Sequence, residues 1–444
     1  MKIAILIYRQ IEHMYFAKIV EYAKKKKIQI DFFLLQSEFK NPENKYKSYQ
    51  KPTRNKSPYI SNKNFILKTK RKATEMIIQS KYDFFFSLHP ISREHFEINN
   101  FFLKKILKKW CIFMRGQDLF YELGKICQKQ NYIYHPIFFS ISSHQFKIGN
   151  QYLKKFRPKT LKFFDSNKIK VIHAGLSMLN KDSEKKYFFY KKIKKKLKFK
   201  KNILYLPCEV SEIPKNFRLN SNLHAYKLYN VINFYRDKSI IRKYIQTFFK
   251  KLFIYFSIFS FKFSRNIYIK KKREEDILKA LFDFCQIKKY NLIIKSRKKS
   301  LLSKCYDQYS NLHIVDDHKV QKPNIIQQLI NKSFLVIGNS TSAVYEVVFN
   351  KKKYININTA SFLLKDKSEL FFYDFRKGSM YNFQGLTQNM SVKGFIKKMN
   401  NKKFEFDTKI NIEQLDKYKK KFLGVKNEFN AFKVFNNLYK IKQN

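Results

Sequence analysis

The chain has 444 residues, 44% of them apolar, and carries 93 basic against 33 acidic side chains, a net charge of +60. This length accommodates two domains with separate cores, and the apolar fraction excludes general disorder. The 47 phenylalanines and 29 tyrosines beside only 9 glycines and 9 prolines indicate a genome rich in A and T. Because that bias also raises the lysine content, we attribute most of the charge to it and predict no nucleic-acid partner.

The cysteine content and the N-terminus bear on the cellular compartment. Five cysteines without a CxxC pair disfavour a disulfide framework or a zinc ribbon and indicate a reducing environment. The apolar run at 3–7 is too short for a signal peptide, and no cleavage site follows it. No stretch reaches about 18 uninterrupted apolar residues, so we expect no membrane-spanning helix. The sequence therefore predicts a cytoplasmic protein.

In the first half of the chain, short apolar runs alternate with helical patterns, as in a parallel α/β unit. The G-x-G-x-x-G fingerprint is missing, which argues against NAD or FAD. The predicted strands lie at 3–8, 28–35, 83–88, 110–114 and 138–143, and the predicted helices at 11–27, 65–80 and 152–156.

The second half repeats this alternation after a lysine-rich segment, and we place the domain boundary at about residue 200. Its strands are predicted at 202–207, 291–297, 311–315, 334–337 and 354–357, and its helices at 274–284, 325–330 and 392–399. An insert at 242–266 mixes aromatic and basic residues. It predicts a helix lying on an anionic membrane surface, with burial against its own domain as the alternative. A helical tail at 406–444 ends the chain.

One strand, turn and helix in the second half predicts a binding site. Four apolar residues at 334–337 suit a strand buried on both faces. Gly338, Asn339 and Ser340 then turn the chain, and Ser340 or Thr341 can cap the next helix. A helix that begins in this way offers N–H groups, hydroxyls and a positive dipole end to a phosphate. The alternative is an ordinary capped helix without a ligand.

The segment 316–358 resembles the nucleotide-sugar half of GT-B-fold transferases. The resemblance rests on the pair Asp316-Asp317, a helix at 325–330, the strand with its small-residue turn, Glu346 and the next strand. It implies an α/β fold that is GT-B-like, with two Rossmann-like domains facing a cleft and a tail that crosses back to the first domain. The donor-binding residues that it implies are Lys295, Arg297, Gly338, Asn339, Ser340, Thr341, Ser342 and Glu346.

The first half resembles, more loosely, the CDP-glycerol glycerophosphotransferase-like and surface carbohydrate biosynthesis proteins. In that family a strand leads into a His-Gly loop that serves the acceptor, and here Arg115 and Gly116 occupy the loop. The resemblance implies that both lie on the acceptor side and that Asp118 is a candidate base. His173, in an element similar to the family's Gly-x-Pro-x-x-Asp, is the second candidate base.

The resemblance implies a transferase that moves a sugar or polyol-phosphate from a nucleotide-diphosphate donor to a glycan or lipid-linked precursor of surface polysaccharide. It implies no cofactor and no metal, although Asp316-Asp317 is one acidic pair that could hold a cation. A hydrolysing UDP-sugar 2-epimerase of the same fold is an alternative, and it needs paired carboxylates and a histidine around the sugar. A non-enzymatic basic nucleic-acid-binding protein is another, without the usual signatures of that class.

Overall fold

The computed structural model describes residues 1–7, 10–35, 63–67, 79, 81–88, 109–116, 119–121, 123–124, 137–166, 169–178, 197–207, 261–296, 306, 308–309, 312–316, 325–358, 371–425 and 429–443. The predicted insert at 242–266 lies outside these residues up to 260. Its last six residues form the beginning of a long helix.

The first half contains a sheet of seven parallel strands. They are β1 (Lys2–Ile7), β2 (Gln29–Leu35), β3 (Asn64–Leu67), β4 (Phe84–Ser87), β5 (Trp110–Phe113), β6 (Ile137–Ser140) and β7 (Lys170–His173). A 3-10 segment (Gln10–Phe16) leads into α1 (Ala17–Lys25), and α2 (Ser143–Phe156) and α3 (Pro158–Ser166) follow β6. The spatial order is β3-β2-β1-β4-β5-β6-β7.

The second half contains a sheet of six parallel strands in the order β10-β9-β8-β11-β12-β13. They are β8 (Lys201–Leu206), β9 (Tyr290–Ser296), β10 (His313–Asp316), β11 (Leu335–Gly338), β12 (Lys353–Asn358) and β13 (Thr387–Ser391). The helices are α4 (Phe261–Ile287), α5 (Ile325–Lys332), α6 (Val344–Phe349), α7 (Val392–Met399), α8 (Ile412–Tyr418) and α9 (Ala431–Gln443).

Counted from its own first strand, each sheet has the doubly wound order 3-2-1-4-5-6, and the first sheet adds a seventh strand. The fold class is therefore confirmed as α/β with two Rossmann-like sheets. The strand order reverses between β1 and β4 in the first sheet and between β8 and β11 in the second. In open sheets of this kind, ligands bind at the carboxyl ends of the strands beside such a reversal.

The carboxyl edges of the two sheets face each other. Gln145, in the first turn of α2, donates a hydrogen bond of 3.0 Å from Nε2 to the hydroxyl of Tyr345, in the first turn of α6. Both helices begin just after the carboxyl end of a strand, so those strand ends lie near one another. Behind them, the Tyr152 ring packs on Phe372 at 4.5 Å between centroids. One hydrophobic cluster contains side chains from both halves.

After α8 the chain returns to the first sheet. Lys419–Leu423 forms a π-helical turn, and Gly424 follows it with a left-handed φ of +64°. Helix α9 then packs on α1, where Tyr22 stacks on Phe435 at 4.9 Å between ring centroids. The division of the chain near residue 200 stays a prediction about domains, and the two sheets fall on either side of it.

Several elements differ from the sequence-based prediction, among them the strands at the outer edge of each sheet, β3 and β13. The predicted helix at 65–80 is wrong at its start, because Asn64–Leu67 pairs in parallel with β2 as an edge strand. Phe65 packs there on Phe33, 5.2 Å between ring centroids. Strand β13 was not predicted, since the segment Thr387–Ser391 contains one large apolar residue, Met390. Parallel pairing with β12 stabilises this segment as a strand despite its low apolar content.

Candidate functional site

The small-residue loop 338–342 lies beside the strand reversal of the second sheet. Gly338 ends β11 and pairs with Leu206 at the end of β8. A Cβ atom at Gly338 would lie 2.7 Å from the Tyr354 hydroxyl and 3.3 Å from the Leu206 Cβ atom. The packing of Tyr354 and Leu206 therefore leaves little room for a side chain at this position.

Ser340 is held in an uncommon conformation. Its φ is +49°, in the left-handed region that non-glycine residues rarely adopt. Its amide donates a 2.6 Å hydrogen bond to Asn356 Oδ1, which keeps the loop in this shape. The residue is 8% exposed, and its hydroxyl has no hydrogen-bond partner among the described residues. An unsatisfied buried hydroxyl costs about 1–3 kcal/mol, so it indicates a bound water or ligand.

The predicted capping of the helix by Ser340 or Thr341 is wrong. Helix α6 begins at Val344, and the preceding Ala343 has a helical φ of −58° and no side-chain cap. Thr341 instead accepts a 3.3 Å bond from the Ala343 amide within the loop. Ser340 cannot cap because a capping residue needs extended backbone angles. Since α6 has only six residues, the loop's hydroxyls, and not a helix dipole, carry the argument for an anion.

The other predicted donor-binding residues that the structure describes lie at the carboxyl edge of the second sheet or next to it. Glu346 is buried in α6, whereas Ser342 is exposed at the loop surface. Lys295 is half-buried near the end of β9, which is separated from β11 by β8 alone. At a strand spacing of about 4.8 Å, this places Lys295 and Gly338 roughly 10 Å apart across the sheet. Arg297 lies outside the described residues.

A buried hydrogen-bonded chain lies behind the loop. Asn339 Nδ2 donates to the Tyr205 hydroxyl at 3.1 Å, and that hydroxyl donates to Glu274 Oε1 at 3.0 Å. The Tyr306 hydroxyl donates to the same oxygen. Burial raises the pKa of Glu274 to about 7, although both tyrosine hydroxyls favour its charged form. The sequence contains no local signal for these hydrogen bonds, because the four residues are far apart in sequence.

The predicted acceptor-side residues follow β5 in the first sheet. Arg115 is half-buried and Gly116 is buried, while Asp118 lies outside the described residues. His173 ends β7, three strands beyond β4 and so away from the reversal between β1 and β4. Burial and the nearby Lys433 lower its pKa. Of the two candidate bases, the described part of the chain therefore contains His173, and the role of each base stays a prediction.

Sequence reasoning missed one pair of ionisable residues. Glu12 and His13 lie on the 3-10 segment directly after β1, beside the strand reversal of the first sheet, and are 2% and 1% exposed. Burial lowers the pKa of His13 to about 4, and Glu12 opposes this shift. The imidazole is therefore neutral at neutral pH. The pair was missed because the apolar spacing at 11–27 indicated one amphipathic helix. In such a helix the polar residues are expected to face solvent.

The described residues contain neither a metal-binding cluster nor a membrane-spanning helix. Among them, no group of three or more His, Cys, Asp or Glu side chains is placed to hold a metal ion. Asp316 ends β10, and Asp317 lies outside this part of the chain. None of the helices described is long and apolar enough to cross a membrane.

Comparisons with known proteins find similarity at the level of structure. No protein-family model matches the sequence, and no curated protein matches it. A UDP-GlcNAc 2-epimerase from Methanocaldococcus jannaschii is 11% identical with a TM-score of 0.47, over 99% of this chain and 100% of that chain.

Two further solved structures match the whole of this chain. The wall teichoic acid polymerase TagF is 12% identical with a TM-score of 0.47, over 89% of its own chain. A UDP-GlcNAc 2-epimerase from Neisseria meningitidis bound to UDP-GlcNAc is 10% identical with a TM-score of 0.45, over 100% of its chain. The assignment of the fold rests on the strand order and parallel pairing described above.

Proposed function

We propose that this chain is a transferase that binds a nucleotide-diphosphate-linked donor at the loop 338–342. The observation that carries the proposal is the hydroxyl of Ser340, which is buried without a partner among the described residues at the strand reversal of the second sheet. A hydroxyl can donate to a phosphate oxygen, and such charge-assisted bonds are stronger than neutral ones. The facing first domain would then present the acceptor, a glycan or lipid-linked precursor.

The chemistry of such a transfer divides between the two sheets. The departing nucleoside diphosphate develops negative charge, which fixed donors and cations stabilise as the bond breaks. In this proposal Ser340 and Thr341 supply hydroxyls, Lys295 and Arg297 supply positive charge, and Glu346 binds the ribose. The acceptor oxygen is aligned beside Arg115 and Gly116, where a base removes its proton. We assign the base to Asp118 or His173.

A thermal-shift screen tests the donor. CDP-, UDP-, GDP- and CMP-linked sugars and polyols are added to the purified chain at millimolar concentration, and one nucleotide class should raise the melting temperature because it binds the folded state. Repeating the titration in rising salt separates a diphosphate pocket from non-specific polyanion binding. Affinity for nucleic-acid phosphates falls steeply with salt. If none of the donors shifts the transition, the proposal fails.

A second candidate function, a hydrolysing UDP-sugar 2-epimerase, is favoured by the pair Glu12 and His13. A buried carboxylate beside a neutral imidazole at the reversal of the first sheet is suited to proton transfer on a sugar. Product analysis distinguishes the two functions. An epimerase releases an epimerised free sugar and UDP from UDP-N-acetylglucosamine without any acceptor, whereas a transferase consumes its donor only when the acceptor is present.

Peripheral attachment to a membrane is the third part of the proposal. The insert at 242–266 combines aromatic and basic residues, a composition that suits an anionic lipid surface where lipid-linked acceptors occur. We expect the full chain to float with vesicles containing an anionic phospholipid, and a variant lacking 242–260 to float less. Equal flotation of both proteins would contradict this assignment.

A further inference from the structure

The hydrogen bonds behind the loop fix the orientation of the Asn339 amide. Glu274 Oε1 accepts from both tyrosine hydroxyls, so the single proton of Tyr205 points towards Glu274. The Tyr205 oxygen must then accept, and the group that it faces at 3.1 Å is the nitrogen of Asn339. The same nitrogen lies 3.5 Å from the Leu206 carbonyl, which can only accept. Both neighbours require the amino group, and the carbonyl oxygen therefore points away from them.

That carbonyl oxygen is a buried acceptor left unsatisfied by the described part of the chain. Asn339 is 9% exposed, and its Oδ1 atom has no hydrogen-bond partner among the described residues. An amide oxygen only accepts hydrogen bonds, and so do the oxygens of an ionised diphosphate. The two would repel each other, so the group that satisfies Oδ1 must carry an O–H or N–H donor. The neighbouring Ser340 hydroxyl, in contrast, can donate to a phosphate.

We infer that Asn339 recognises the transferred group of the donor by accepting a hydrogen bond at Oδ1 from a hydroxyl of the sugar or polyol. Tyr205 is the positioning residue that holds the amide in this orientation. The inference rests on the proposed function, because it places the diphosphate at the same loop. It assigns different parts of the donor to adjacent residues: Ser340 contacts the diphosphate, and Asn339 contacts the group linked to the diphosphate.

The test compares linked donors with the corresponding free nucleotides. Affinities of UDP-glucose, UDP-N-acetylglucosamine and CDP-glycerol are measured by calorimetry against those of UDP and CDP. The wild-type chain should bind one linked donor about tenfold more tightly than its free nucleotide, the worth of one well-made hydrogen bond. Tyr205→Phe should reduce this ratio to about one, because the amide can then rotate, and should leave the affinity for the free nucleotide unchanged.

Tyr306→Phe is the matched control. It removes the other hydroxyl on Glu274 Oε1 but no contact of Asn339, so it should keep the tenfold ratio. Asn339→Ala removes Oδ1 itself and should abolish the ratio whether or not Tyr205→Phe folds well. A ratio that survives Asn339→Ala or Tyr205→Phe overturns the inference.

The remaining outcomes distinguish failure of this inference from failure of the proposed function. Equal effects of the two tyrosine variants would show a structural role for both, and equal losses for free and linked nucleotides would place the contact on the nucleotide. Either result overturns the inference while leaving the proposed donor site in place. If the wild-type chain binds neither the free nor the linked nucleotides, the proposed function and this inference fall together.

Discussion

The serine-containing turns after β6 and after β11 differ in how their hydroxyls are used. In the first turn, Ser142 has an extended φ of −150° and caps α2 by accepting from the Gln145 amide at 3.1 Å. Its hydroxyl also donates to the Lys421 carbonyl at 2.7 Å. Ser140 donates to the Ser142 carbonyl at 3.0 Å. Each of these hydroxyls has a partner within the chain.

The second turn has the same kind of composition and a different chemistry. Ser340 adopts a left-handed φ, caps nothing, and keeps a buried hydroxyl that no described residue satisfies. Asn339 beside it likewise has an amide oxygen without a partner in the described part of the chain. The first turn therefore satisfies its hydroxyls within the chain, whereas the second turn leaves two buried polar atoms without a partner among the described residues.

The largest effect is expected where the C-terminal tail touches the first turn. A Cβ atom at Gly424 would lie 1.7 Å from the Ile141 carbonyl oxygen, and φ there is +64°. Gly424→Ala should therefore lower the free energy of unfolding by about 3 kcal/mol, since backbone must move to admit the methyl group. Chemical denaturation measures this loss.

The control for this change is Gly378→Ala. Gly378 also has a positive φ, +81°, but nothing lies within 4 Å of an added Cβ atom. Gly378→Ala should lower the free energy of unfolding only by the cost of the left-handed conformation, about 1–2 kcal/mol. Equal losses in the two variants would mean that the first turn does not depend on its contact with the tail.

The second turn should respond to pH through Glu274. The raised pKa of about 7, against the model-peptide value near 4.5, means that the folded chain binds a proton more tightly than the unfolded chain. The contribution of Glu274 to the free energy of unfolding is complete below pH 4.5 and is lost as the pH rises through 7. The amplitude is about 3 kcal/mol.

The lowered pKa of His13 makes stability rise with pH, opposite to the effect of Glu274. The test therefore measures the difference in stability between the wild type and a Glu274 variant. Wild type and Glu274→Gln are unfolded in denaturant from pH 5 to pH 8. The stability of the wild type relative to the variant should fall across this range. A constant difference would show that Glu274 does not titrate in this interval.

Much of the fold could be predicted from the sequence, because buried parallel strands are short apolar runs that need no long-range information. The strands at 110–114 and 202–207 were placed within a residue or two of β5 and β8. Strand β3 and strand β13 were missed for different reasons. Strand β3 is a short apolar run, but it was included in the helix predicted at 65–80. Strand β13 contains one large apolar residue, Met390, and is stabilised by its pairing with β12.

The site was less predictable than the fold. The small-residue loop could be located because glycine and serine mark a turn between a strand and a helix. Its hydrogen bonding could not, since Asn339 meets Tyr205, a residue 134 positions away. For the same reason the sequence did not distinguish the turn at Ser142 from the turn at Ser340. Only the positions of distant partners reveal which hydroxyls are already satisfied.

Ser340→Ala should weaken donor binding by about ten- to a hundredfold, because it removes a hydrogen bond to a charged group worth roughly 1.5–3 kcal/mol. The melting temperature should not fall, since the lost hydroxyl has no partner within the described residues. Ser333→Ala is the matched control at the other end of β11: its buried hydroxyl donates to the Leu329 carbonyl at 2.7 Å. That variant should melt earlier and keep its donor affinity. The opposite pattern would reverse the assignment of the two serines.

The smallest effect is expected at the first turn. Ser142→Ala removes the cap of α2 and the bond to the Lys421 carbonyl, and loss of such a cap lowers the free energy of unfolding by about 1 kcal/mol. The hydroxyl contacts no part of the proposed donor site, so donor affinity measured on the folded protein should not change. Ser142→Thr keeps a hydroxyl and should recover much of the stability. If Ser142→Ala weakened donor binding as much as Ser340→Ala, both turns would belong to the binding site, and satisfied hydrogen bonds could no longer be used to separate structural serines from functional ones in this fold.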